Sequence, residues 1–329
     1  MKTASGTTRR RFLRTAGSGL LGSAALAFAD PRGTPTTKSR VVIGQDPQLR
    51  KAGSGVDSHR LLALLDKTIQ ATFDRDTPQE AWRQIARPGE VVGLKVNCLA
   101  GRGFSTNGVL VDAICERLQQ AGIKDIVIWD RLNSDLESAQ FRINEKGKGI
   151  RCFGNDTLGY EDELAIQGSI GSLLSKTLTQ VCDAVINLPM LKDHSITGVT
   201  MALKNFFGAI HNPNKYHPHG GNPYIADVNM IPQIRQKIRL HICDATTAQY
   251  EGGPPFMPQW TWPYNGLLVS PDPVALDYTG WQIIERKRGE IGMKSLKEMK
   301  REPVYIATAA DANHRLGTND PNQIEVVNV

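Results

Sequence analysis

Apolar residues change period several times along this chain, and each change marks an element. "SHRLLALLDKTIQATF" (58–73) places leucine and isoleucine at steps of three and four, the spacing of one buried helix face. "PQEAWRQIA" (78–86) predicts a second, shorter helix. "EVVGLKVN" (90–97) and "KDIVIWD" (124–130) are instead continuous β-branched runs of strand length, the kind expected where both faces of a sheet are covered. Between them, "NGVLVDAICERLQQAG" (107–122) is amphipathic and stops at Gly122. Strand, helix, strand in that order is the unit of a parallel sheet.

Further strands are predicted at "RVVIG" (40–44), "DAVINLPMLK" (183–192), "IRLHICDA" (238–245), "NGLLVS" (265–270) and "QIEVVNV" (323–329). Helical spacing runs over 197–211, over "DPVALDYTGWQIIERKR" (272–288) and over "EPVYIATAADANHRLG" (302–317). Residues 131–180 are less regular and read as a lobe with helices over one face. No internal repeat or low-complexity segment occurs. The expected class is α/β, a mostly parallel sheet with helices on both faces plus inserted or appended irregular segments, in a single domain over 41–329.

The first residues stand apart. "TTRRRFLRTAGSGLLGSAALAFAD" has a basic head, an apolar middle and an Ala27-Phe28-Ala29 ending, the three parts of an export signal over 1–29. Its head, Thr8-Arg9-Arg10-Arg11-Phe12-Leu13, resembles a twin-arginine signal. Residues 30–40 then read as a polar linker. The expected course is export by the twin-arginine (Tat) machinery to the periplasm or another extracytoplasmic space, with no stable membrane anchor after cleavage. The formal charge of +6 changes accordingly. Removing Lys2, Arg9, Arg10, Arg11 and Arg14 from 39 basic residues leaves 34 against 33 acidic ones, near +1. Such a balance gives no reason to expect nucleic-acid binding. The five cysteines form no CxxC, so no iron–sulfur motif or zinc knuckle is encoded.

Ligands of parallel α/β sheets sit beyond the carboxyl ends of the strands. Here the predicted strands end at Asn97 (with Lys95 two residues earlier), at Asp130, at Lys192-Asp193-His194, at Asp244 and at Asp272, which suggests a shared polar rim. His194 just precedes the predicted 197–211 helix. That helix would turn its positive end toward Lys192 and His194, and Lys204 would lie on its polar face. The loop "CLAGRGFSTN" (98–107) holds Gly101, Gly103, Ser105 and Thr106, and could offer backbone N–H groups to an anion. No Walker lysine follows it, and there is no GxSxG elbow. "HNPNKYHPHGGNP" (211–223) could supply His217 and His219 to a metal with Asp193, or act as a lid. Trp260, Trp262 and Tyr264 could line an apolar wall.

The segments "KVN" with "STN", "VINLPMLKDHSITGVTMALKNFFG", "DATTAQYEGGPP" and "LLVSPDPVALD" resemble the DUF362 family over most of residues 40–285. By motif, the resemblance makes Lys95, Asn97, Ser105, Thr106, Lys192, His194, Thr200, Lys204, Asn205, Gly208, Asp244, Gly253, Pro254, Asp272 and Asp277 signature positions. Many members carry ferredoxin-like cysteine motifs, which this chain lacks.

Two functions are expected from these residues. In the first, an exported enzyme acts on a small anionic substrate, with a metal ion or redox cofactor left open. Lys95, Asn97, Ser105, Thr106, Lys192, Lys204 and Asn205 would hold the anion, and His194 would be the general acid/base because an ordinary imidazole titrates near neutrality. Asp130 and Asp244 would orient it or ligate the metal. In the second, a non-catalytic extracytoplasmic protein carries an anion, metal or cofactor. A carboxylate bonded to His194 favours the enzyme; an open basic pocket suffices for the carrier.

Overall fold

Alternation along the strands decides which side of the sheet each residue joins. The computed structural model describes residues 38–50 and 55–329. The export signal read at 1–29 and residues 30–37 of the linker lie outside the described residues. The strands are β1 Ser39–Gln45, β2 Val91–Lys95, β3 Asp125–Trp129, β4 Ile150–Cys152, β5 Tyr160–Gln167, β6 Ile170–Ser175, β7 Ala184–Asn187, β8 Met190–His194, β9 Gly198–Thr200, β10 Ile238–Gln249, β11 Thr261–Trp262, β12 Gly266–Ser270 and β13 Ile324–Asn328. The helices are α1 Ser58–Phe73, α2 Pro78–Trp82, α3 Gly108–Gln120, α4 Asn133–Ser138, α5 Asn155–Leu158, α6 Ala202–Asn205, α7 Tyr224–Met230, α8 Pro232–Arg235, α9 Pro273–Glu290 and α10 Tyr305–Ala310.

The main sheet runs β13-β1-β12-β10-β7-β2-β3-β4. From β10 through β7, β2 and β3 to β4 every pairing is parallel, whereas β12 is antiparallel to both β10 and β1. Helices cover both faces. Val92, Leu94, Ile126 and Ile128 join one buried cluster with α1, α2 and α3. Their neighbours Val127 and Trp129 turn to the other, beneath α6, α7, α9 and α10. The α/β class with a mostly parallel, two-sided sheet is therefore as expected from the apolar runs. Lys38–Val329 form one compact unit.

Three local expectations fail for identifiable reasons. The strand predicted over 183–192 breaks in two, β7 and β8, around Leu188-Pro189, where proline has no ladder donor. Residues 197–211 are not one helix. Val199 and Thr200 are β-branched and pair as β9 with β8, in register Lys192↔Thr200, Asp193↔Val199 and His194↔Gly198. Only then does α6 begin, continuing into a 3₁₀ turn over Phe206–Ala209. The segment 131–180 carries an antiparallel hairpin, β5–β6, beside the short α4 and α5 rather than a helical layer. Among the described residues no helix is long and apolar enough to cross a membrane.

Candidate functional site

Where β2 and β3 end and the β8–β9 ribbon rises from β10, the chain leaves a cleft of about 390 Å³. Its floor comes from the strand ends. Lys95 is buried, and its Nζ donates to Asp130 Oδ1 at 2.7 Å, the Val96 carbonyl at 2.7 Å and Asn205 Oδ1 at 3.3 Å. All three of its hydrogens are thereby engaged. Asp130 is fixed in turn by the Cys98 and Arg131 backbone N–H groups. An ion pair this deep needs such a full set of partners, because desolvation offsets much of its attraction. Gly208 covers the pair. A Cβ there would stand 2.9 Å from Lys95 Nζ and 3.0 Å from Asp130 Oδ1, so no larger residue fits without displacing the ions.

Asparagines extend this network. Asn97 Nδ2 donates to Asn205 Oδ1 at 3.0 Å, and Asn205 Nδ2 donates to Asn187 Oδ1 at 2.7 Å. Asn97 Oδ1 accepts from Lys192 Nζ at 2.9 Å, joining floor to wall.

The wall is the β8–β9 ribbon, and period-two alternation sorts its charges. Lys192, His194 and Thr200 line the cleft. Asp193 points behind it, accepting from the Gly253 N–H at 2.9 Å and facing Arg301 at 3.5 Å. Arg301 is shared with Glu251, which also pairs with Arg288. Gly253 lies so close that a Cβ would stand 2.2 Å from the Asp193 carbonyl. Burial raises Asp193 to about 6.

Lys204, on α6, reaches the cleft from the other side. Its Nζ lies 3.1 Å from His217 Nε2 and 4.9 Å from the centre of the Phe207 ring. His217 Nδ1 is 3.1 Å from the Pro213 carbonyl, which can only accept. Nδ1 therefore carries the hydrogen, and the Nε2 lone pair accepts from Lys204. His194 has the opposite tautomer. Its Nδ1 accepts the Ile196 and Thr197 N–H groups at 3.1 and 3.3 Å, which leaves the hydrogen on Nε2. The two rings stack with centroids 5.5 Å apart.

Electrostatics follow from this packing. Burial, Lys204, His217 and Lys192 push His194 down to about 2. Burial and Lys204 likewise lower His217. Burial lowers Lys192 to about 8 against a partial rescue by Asp130 and Asp193, and burial with Lys192 lowers Lys204 to about 7. No carboxylate bonds to either lysine or to His194 among the described residues. The general acid/base role argued from an ordinary imidazole does not suit this neutral His194, which faces the cleft as a donor.

The structure brings together Lys95, Asn97, Asp130, Lys192, His194, Lys204, Asn205 and His217. It places the others elsewhere. Ser105 Oγ donates to the Gly101 carbonyl, and Thr106 Oγ1 donates to Leu188 while accepting the Asn97 N–H. The hydroxyls of the 98–107 loop thus bond to the loop itself and its neighbours. Asp244, buried at the end of β10's ladder with β12, accepts from the Asn107 N–H at 2.7 Å and from Thr246, tethering that loop. Asp272 caps α9 at the opposite edge, since β12 runs antiparallel. The helix end expected to face an anion is taken by Asp277, which accepts the Ala202 and Leu203 N–H groups at 2.7 and 3.1 Å.

His219 is exposed, and Asp193, His217 and His219 do not assemble. No group of three His, Cys, Asp or Glu able to hold a metal ion occurs among the described residues. Trp262 packs with Tyr250 and Tyr264 away from the cleft, to which that loop contributes Pro254. The 211–223 segment does contribute Pro213, Asn214 and His217, anchored by the buried Tyr216, whose hydroxyl donates to the Gly171 carbonyl at 2.6 Å.

Sequence reading missed Asp135, which pairs with Arg131 on the cleft lining, and the apolar mouth. Leu99 and Ile196 line the cleft while 52 % and 50 % exposed. The available signal was Leu99 itself, an aliphatic residue two positions beyond the end of a predicted strand.

Fold and cleft together define an α/β protein with a lysine-rich pocket at the carboxyl ends of its parallel strands. The chain belongs to the DUF362 family, a domain of unknown function, whose model matches residues 92–282 and so spans the whole lysine cluster. No curated protein matches it. A crystal structure of a protein from Thermotoga maritima is similar at 10% identity, covering 58% of this chain and 51% of that one, with a TM-score of 0.36. This chain thus spans about half the length of that protein.

Proposed function

We propose that this protein binds a small organic anion, a carboxylate, in the lysine cleft, and that it does so after export by the twin-arginine route. One observation carries the binding reading. Lys192 and Lys204 are both buried against the same cavity, and among the described residues each has one hydrogen-bond partner, a neutral one. An ammonium has three donors, so each lysine has donors to spare. Thr200 lines the same cavity, and its buried Oγ1 has no hydrogen-bond partner among the described residues. His194 adds its Nε2–H. A carboxylate would accept from these groups and supply the charge that the protein withholds.

Titration calorimetry with acetate, sulfate and pyruvate tests this. Lys192→Met is expected to weaken binding by about tenfold or more, from the loss of one charged hydrogen bond. Wild-type protein that binds none of the three would refute the reading. The export part rests on the arrangement of residues 1–29. Replacing Arg9 and Arg10 by lysine is expected to leave the precursor in the cytoplasm on fractionation; unaltered export would overturn it.

A further inference from the structure

Anion capture does not account for the pairing of Lys204 with an imidazole. A lysine kept as a positive charge would be better matched by a carboxylate than by a neutral ring whose lone pair faces its Nζ. A lysine meant to act as a free amine gains a proton acceptor. Its surroundings suit that second use. Lys204 is buried, sits over the Phe207 ring and has no carboxylate partner among the described residues. Across the same cavity stand a second lysine and two groups that can donate to a carbonyl oxygen, His194 Nε2–H and the Thr200 hydroxyl.

We propose that Lys204 forms an imine with the keto group of a small 2-oxo carboxylate, while Lys192 and Thr200 hold its carboxylate. This deepens the anion reading of the same cleft and rests on it. The Nζ lone pair attacks the keto carbon, and the carbonyl π electrons move onto oxygen. His217 Nε2 takes a proton from the attacking nitrogen and returns it to that oxygen, and His194 Nε2–H donates to it meanwhile. The nitrogen lone pair then expels that hydroxyl, leaving an iminium, and His217 Nε2 relays the second nitrogen proton to the departing hydroxide, which leaves as water. Overall, amine and ketone become imine and water, both amine hydrogens leave with the oxygen, and no oxidant or reductant is consumed. The depressed basicity of Lys204, at about 7, keeps a large share of it unprotonated near neutral pH. The exposed Leu99 and Ile196 at the mouth suit a short apolar substituent on the keto carbon.

The test is reductive trapping. Folded protein is incubated with pyruvate and sodium cyanoborohydride, digested, and its peptides weighed. The expected result is a reduced adduct on the Lys204 peptide, suppressed by excess sulfate and absent in Lys204→Arg and Lys204→Met. Pyruvate that binds in calorimetry but leaves no adduct on Lys204 would overturn the imine and leave the anion reading standing. Absence of any anion binding would remove both. An adduct spread over surface lysines, and equal in urea-unfolded protein, would also overturn the imine. Because the decisive readout is on the wild-type chain, a variant that misfolds does not rescue the idea.

Discussion

If the cleft holds an anion, binding must draw protons from solution. Lys192 and Lys204 stand at about 8 and about 7 because burial strips their ammoniums of water. At pH 8 the unliganded pair would carry roughly 0.5 and roughly 0.1 of a proton respectively. An anion that restored both to the ordinary lysine range would bring them to nearly two, an uptake of about 1.4 protons. His194 and His217, both lowered, stay out of this count, and Lys95 is already matched by Asp130. At pH 6 both lysines are already charged, so uptake should approach zero. Calorimetry with sulfate, repeated in buffers of different ionisation enthalpy, reads the proton number as a slope. Lys204→Met should leave about 0.5 at pH 8. An uptake near zero at pH 8, or one equal at pH 6 and pH 8, would refute the account. The same linkage fixes the sign for stability. Both folded values lie below the unfolded ones, so the lysines' contribution improves as pH rises from about 7 toward 10.5.

Asp130→Ala strands Lys95 in the interior and should cost about 3–5 kcal/mol in urea unfolding, against near-neutral values for a surface aspartate. Asp277→Ala leaves the Ala202 and Leu203 N–H groups without their acceptor. It should cost about 1–3 kcal/mol for each buried group left unpaired, with the loss seen as a lower melting temperature. All five cysteines are free and buried, and burial raises every one of their thiols, Cys115, Cys152 and Cys182 to about 12. A thiol reagent at neutral pH should therefore label the native protein hardly at all and all five positions after unfolding, by mass spectrometry.

The parallel sheet was legible because its strands are covered on both sides and their apolar runs show it. Lys95, Asn97 and Asp130 were found by the rule that strand ends face ligands. That rule failed at Asp272 because the direction of β12 is fixed by its partners β1 and β10, which no local pattern reveals. It failed at Asp244 because a buried carboxylate satisfied by N–H groups looks, in sequence, like one waiting for a ligand. The 197–211 segment carried a helical period, yet pairing with the edge of β8 overrode it in the first residues. Lys192 and Lys204 could be chosen from sequence, but their tautomeric and electrostatic setting depends on His217, Phe207 and backbone groups that only folding brings near.

The ribbon that carries Lys192 and Thr200 is propped from far downstream, Tyr305 bonding to the Val199 carbonyl at 3.2 Å and Arg301 facing Asp193. Synthesis delivers these props after the ribbon itself. A nascent chain that has emerged as far as residue 282 already holds both lysines and both imidazoles, but lacks these two props of the ribbon. The ribbon's final setting therefore waits on residues that emerge well after it.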